Sequence, residues 1–92
     1  MPRLSQQKKD KIAEHLLHYL FAIAPEAQFT SDIAKEIARD EEFTRSLLME
    51  LKGKKLVVEI AKNATGKDYR RRKRWRLAND VYEVYKKQQR TT

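Results

Sequence analysis

After Gly53 the hydrophobic pattern of this chain switches from a helical period to a strict alternation, and that switch narrows the folds open to it. Before the switch, apolar residues recur every three or four positions in three separate stripes. The first holds Ile12, Ala13, Leu16, Leu17, Leu20 and Ala24, the second Ile33, Ala34, Ile37 and Ala38, and the third Phe43, Leu47, Leu48 and Leu51. After it, Leu56, Val58 and Ile60 alternate with Val57, Glu59 and Ala61 in a β-branched run. Asn63, Ala64, Thr65 and Gly66 read as a turn. On the return, Lys73, Trp75 and Leu77 share one side of a strand, and Arg72, Arg74 and Arg76 share the other.

Punctuation residues divide the helical part. Pro25 ends a first helix over residues 6–24, because a proline pushes its predecessor out of the helical region. Residues 26–29 leave room only for a short extended link. Thr30 or Ser31 offers a hydroxyl N-cap to a second helix, with Asp32 in its first turn, where the helix dipole favours an anion. Asp40 caps a third helix that ends near Gly53. Asn79 caps a last helix over residues 80–89, whose narrow stripe is Val81, Val84 and Tyr85. The expected fold is mainly α with a small β-hairpin, in the order helix, strand, helix, helix, strand, strand, helix. A chain of 92 residues makes one such domain over 1–92, with 1–5 and 90–92 frayed.

Charge is concentrated in the hairpin. Residues 62–76 carry eight basic side chains and one acid, +7 of the chain's formal +8. The remaining 77 residues hold 13 Lys or Arg against 12 Asp or Glu, so the positive charge is local and points at a polyanion, most often nucleic acid. A solvated charge run or a localisation signal would show the same RRRKR composition. It would not need Trp75 and Leu77 at alternate positions.

The segment FTSDIAKEIARDEEFTRSLLMELKGKKLVVEIAK, followed by the return strand KRWRLA, resembles the winged helix-turn-helix DNA-binding domains. The resemblance covers residues 28–78, with the wing at about 56–78. One departure is the turn after the second helix, where a glycine is usual and this chain has Ala38, Arg39 and Asp40. The resemblance implies a third helix in the major groove and a wing over the backbone or in the minor groove. It marks Ser31, Glu42, Arg45, Ser46, Met49 and Lys52 as the helix-turn-helix contacts.

Charge argues for a wing-led version of that binding. Residues 30–50 carry three basic side chains and six acids, a poor surface for phosphate. Arg45 alone on the third helix can pair with a guanine edge, while Ser46 can bond a base or phosphate and Glu42 can accept from a cytosine amino group. Glu42 is equally explained as an acid at a helix N-terminus. The wing supplies Lys62, Lys67, Tyr69, Arg70, Arg71, Arg72, Lys73, Arg74 and Arg76. If about five phosphates are neutralised, log affinity falls against log salt with a slope of about −4 to −5.

Other chemistry finds little support in the residues. His15 and His18 lie three apart without a third metal ligand, where a zinc helix of the HEXXH type needs a spacing of four. Gly66 and Lys67 lack the upstream glycine and following hydroxyl of a phosphate-binding loop. Zero cysteines exclude disulfides and thiolate metal sites. No catalytic constellation, metal or cofactor is expected. No apolar run reaches the roughly 20 residues that cross a bilayer, and the start of the chain lacks the apolar segment of a signal peptide. The expectation is an intracellular protein, in cytoplasm or nucleoid, or in the nucleus of a eukaryote.

The expected function is a small non-enzymatic transcription regulator on duplex DNA. A homodimer through Val81, Tyr82, Val84 and Tyr85 is one use of the last helix, and packing on its own domain is the other. RNA or ribosome binding, and a protein-interaction role for the acidic third helix in a replication or transcription complex, remain as alternatives.

Overall fold

The computed structural model describes residues 5–60 and 73–90. The turn at 63–66 and the wing residues Lys62, Lys67, Tyr69, Arg70, Arg71 and Arg72 lie outside the described residues. Within them the order is α1 (Gln6–Ile23), β1 (Gln28–Phe29), α2 (Thr30–Ile37), α3 (Glu41–Gly53), β2 (Val57–Ile60), β3 (Arg74–Leu77) and α4 (Asn79–Arg90). It is the order that the patterning predicts.

The three strands form an antiparallel sheet in the order β1-β3-β2. The return strand is central: Gln28 pairs with Trp75 and Phe29 with Arg74 on one side, while Val57 pairs with Leu77 and Glu59 with Trp75 on the other. Side chains alternate across this sheet. Trp75, Leu77 and Val57 therefore enter the core. They meet Leu16 and Leu20 of α1, Ile33 and Ile37 of α2, and Leu47, Leu48 and Leu51 of α3.

Trp75 is fully buried. An indole of roughly 200 Å², at about 25 cal/mol per Å², contributes up to about 5 kcal/mol. Its N–H must still find an acceptor, because an unpaired buried donor is costly. Thr30 provides it: Trp75 Nε1 donates to Thr30 Oγ1 at 2.8 Å. The hydroxyl expected to cap α2 therefore bonds the wing instead. Phe29 occupies the N-cap position of α2 and makes no side-chain cap bond.

Asp40 does cap α3, accepting from the Phe43 N–H at 2.7 Å. The inner face of α3 is displaced from expectation. Thr44 is fully buried and its Oγ1 donates to the Asp40 carbonyl at 2.8 Å, while Phe43 lies on the flank beneath the Arg39 guanidinium. A hydroxyl that bonds its own helix can replace an apolar residue inside, and periodicity does not reveal that.

Both inner helices end in left-handed residues that are not glycine. Ala38 has φ 56° and Lys55 has φ 65°. At the end of α2, the Arg39 and Ala38 amides return to the Ala34 and Lys35 carbonyls. At the end of α3, the Leu56 and Lys55 amides return to Leu51 and Lys52. Each is a Schellman closure. Ala38, expected on the inner face of α2, is instead the exposed corner of the helix-turn-helix. The helix after the wing also starts one residue early: Asn79 belongs to α4, and the Tyr82 amide bonds the Ala78 carbonyl.

Candidate nucleic-acid interface

The first turn of α3 is acidic, with Asp40, Glu41 and Glu42, and an anion there is favourable at the positive end of the helix. Its last turn and the corner beyond are basic, with Lys52, Lys54 and Lys55 all exposed. Between these ends the outer face carries Glu42, Arg45, Ser46 and Met49, all exposed as expected, with Met49 at 46%. Arg45 stands 3.9 Å from Glu41, one turn earlier on the same face. At that exposure the pair holds Arg45 weakly, by well under 1 kcal/mol, and leaves it available. Ser31, on the first turn of α2, is half-buried.

The wing joins this surface through a carboxylate that is not among the expected contact residues. Glu59 of β2 lies opposite Trp75 on the inward face of the sheet. Its Oε1 accepts from Lys52 Nζ at 3.0 Å, and its Oε2 faces Lys73 Nζ at 3.3 Å. Burial alone pushes the Glu59 carboxyl up, but hydrogen bonds from the two lysines and their charges outweigh it and hold the group below its ordinary value. Lys52 and Lys73, both expected among the nucleic-acid contacts, thus share one anion. An acid within an alternating run, with lysines seven and fourteen positions away, is the only signal the sequence offers for it.

Arg74 and Arg76 share the other face of the sheet, as expected from their alternation with Trp75, but they are half-buried and not open on that face. Ile60 and Val58 are their partners on β2. The Arg74 guanidinium sits 5.9 Å from the centre of the Phe29 ring. Arg76 Nη1 donates to the Leu77 carbonyl and to Asn79 Oδ1, each at 3.2 Å, and so bridges the wing to the first turn of α4. Their neighbours come from β1 and α4, which alternation within the wing cannot foresee.

The residues considered for dimer contacts divide. Tyr82 and Tyr85 lie 5.3 and 5.4 Å from Phe21 ring to ring, His18 meets Tyr85 edge-on, and Val81 packs against the core. The stripe of α4 covers α1 within the chain, and Val84 remains 53% exposed. His15 stands 3.7 Å from Glu36. Among the described residues, no group of three His, Cys, Asp or Glu could hold a metal ion, and no helix is long and apolar enough to cross a membrane.

A helix-turn-helix whose second helix feeds directly into a hairpin, with a short first strand completing the sheet, also recurs in solved structures. A DNA complex of MepR from Staphylococcus aureus matches over 88% of this chain and 66% of its own, at 28% identity and a TM-score of 0.68. A MepR mutant from a multidrug-resistant clinical isolate matches over 84% and 53%, at 27% identity and 0.67. The chain is a winged helix-turn-helix domain. It spans between half and two thirds of those two MepR chains. A ZitR mutant from Lactococcus lactis shares the fold at 19% identity, with a TM-score of 0.60 over 80% of this chain and 48% of its own. No protein-family model and no curated protein matches the sequence. In this winged-helix domain α2 and α3 are the helix-turn-helix, and β2 and β3 form the root of the wing.

Proposed function

We propose that the domain is a non-enzymatic transcription regulator that binds duplex DNA inside the cell, with α3 offered to the major groove and the wing to the backbone. The observation that carries this reading is the outer surface of α3. Arg45, Ser46 and Met49 stand open on it, and it runs without a break into Lys52, Lys54 and Lys55 and the root of a wing whose remaining residues hold most of the chain's positive charge. Support comes from the similar MepR structure, which is a DNA complex.

The charge gradient along α3 gives the division of labour. Its acidic first turn repels phosphate, so the exposed lysines at the corner beyond the helix, Lys54 and Lys55, and the wing supply affinity, while Arg45 and Ser46 read base edges. Arg70, Arg71 and Arg72 are the expected backbone contacts, and Arg74 and Arg76 serve mainly to hold the sheet to β1 and α4.

Mobility shifts with random duplex, selected duplex and structured RNA test the reading. Duplex binding is expected, with a slope of log affinity on log salt of about −4 to −5. Replacing Arg70, Arg71 and Arg72 together by Ala should flatten that slope by about 2 to 3. Binding that survives the triple substitution unchanged overturns the wing-led account. Preference for structured RNA over every duplex overturns the DNA assignment.

A further inference from the structure

The Glu59 carboxylate sits where the two elements that would approach a duplex converge. Lys52 comes from the last turn of α3 and Lys73 immediately precedes β3. Each carboxylate oxygen meets one ammonium group, at 3.0 and 3.3 Å. The Glu59 side chain is only 12% exposed, whereas those of Lys52 and Lys73 are 47% and 36% exposed. The anion is thus enclosed by the protein while the cations it holds still face solvent.

A carboxylate accepting from two lysines offers them what a nucleic-acid backbone phosphate would, a single negative charge shared by two acceptor oxygens. The three groups together carry +1, where two free lysines would carry +2. An acid on the inward face of a sheet would be expensive without partners, and two lysines more than offset that cost, so Glu59 stays ionised and in place.

The geometry points to Glu59 as an internal phosphate mimic: it occupies Lys52 and Lys73, withholds them from non-specific backbone contact, and so raises the share of duplex affinity that depends on base readout. This rests on the duplex-binding reading above. Sequence-independent affinity grows with the number of phosphates neutralised, and a regulator gains discrimination when cations that do not read bases are restrained. Glu59 is a specificity-determining residue that acts through its two lysines, without touching DNA itself.

The test compares the full chain with Glu59→Gln, an isosteric change that removes the charge. On random-sequence duplex the variant should bind about threefold to tenfold tighter, with a salt slope steeper by about one to two. An unchanged slope, or weaker binding, overturns the proposal. Retention on heparin provides a readout that needs no DNA: Glu59→Gln should elute at higher salt than Glu83→Gln, which removes the same charge from an exposed position on α4. Coincident elution overturns the proposal even if the native chain binds no duplex, an outcome that would separately sink the duplex-binding reading. If Glu59→Gln fails to fold, the double change Lys52→Gln with Lys73→Gln decides. A loss of no more than about one unit of slope supports prior occupation by Glu59, and a loss of about two shows the lysines acting independently of it.

Discussion

Trp75 Nε1 and Thr30 Oγ1 form a buried hydrogen bond of 2.8 Å that joins the central strand of the wing to the first residue of α2, 45 positions away. Both side chains are enclosed, Trp75 fully and Thr30 to 7% exposure. The wing is therefore tied to the helix-turn-helix inside the core by a directional contact, beside the Thr30 N–H bond to the Lys73 carbonyl at 3.3 Å and the more exposed Lys52–Glu59 pair at 3.0 Å. Removing the acceptor while keeping the volume leaves the indole N–H unpaired. Thr30→Val should cost about 1 to 3 kcal/mol in urea unfolding. Thr30→Ser keeps the oxygen and should recover most of that loss, and equal destabilisation by both changes would show that the methyl group matters and the bond does not.

The two left-handed corners carry avoidable strain. Ala38 and Lys55 hold φ values of 56° and 65°, where a Cβ is disfavoured by about 1 to 2 kcal/mol and glycine is not. Glycine adds entropy to the unfolded chain and recovers only part of this. Ala38→Gly and Lys55→Gly should each raise stability by about 0.5 to 1 kcal/mol, readable as a higher urea midpoint. The corners lie at opposite ends of α3, so the two gains should add.

The Glu59 carboxyl gives the domain an acid-sensitive contribution. Its value in the folded state is below the ordinary 4.5, so the stability it confers is fully present above about pH 4.5 and is lost as pH falls through the lower folded value. Native and Glu59→Gln chains should differ most in urea midpoint near neutral pH and converge on acidification. Acids common to both proteins cancel in that difference. A gap that stays constant down to pH 3 would mean that the two lysines do not hold the ionised form.

The acidic first turn of α3 separates a DNA surface from a protein-binding one. Glu41→Lys combined with Glu42→Lys adds +4 beside Arg45 and should leave duplex binding equal or tighter in a mobility shift, with a steeper salt slope. A marked loss of duplex binding would instead assign those carboxylates to recognition. The substitutions also oppose the helix dipole, so a loss of about 1 kcal/mol in stability is expected with them.

The aromatic seam between α1 and α4 is a contact within the chain. Phe21 stacks on Tyr85 at 5.4 Å and meets Tyr82 at 5.3 Å, so Phe21→Ala should destabilise the isolated domain by about 2 kcal/mol or more. Val84→Ser, on the exposed part of the same helix, should leave unfolding within about 0.5 kcal/mol of the native chain. Sedimentation of both variants reports whether association depends on either.

Most of the fold was readable locally because its signals are local. Period 3.6 before Gly53, period two around Trp75, Pro25 after the first helix and Asp40 before the third each act within a few residues, and every element they imply is present. The exposed set on α3, including Arg45, Ser46 and Met49, follows from the same periodicity. What failed involved competition between near and distant partners. Thr30 could cap its own helix or satisfy an indole, and the buried N–H, having no alternative, takes it. Ala38 belongs to an apolar stripe by spacing, yet the closure of α2 puts it at the corner.

The candidate interface divides along the same line. The sequence by itself determined that positive charge gathers in one hairpin, that Trp75 and Leu77 anchor its return strand, and that α3 begins acidic and ends basic. Those properties depend only on which residues follow one another. The tertiary structure decided which cations are open and which are occupied. Glu59 meets Lys52 and Lys73 only because β2 pairs beside β3 at the end of α3, and Arg74 and Arg76 are drawn to Phe29 and Asn79 because β1 and α4 flank the same strand. Charge is counted along a chain, but a charged group acts through the distance to its partner, and folding sets that distance.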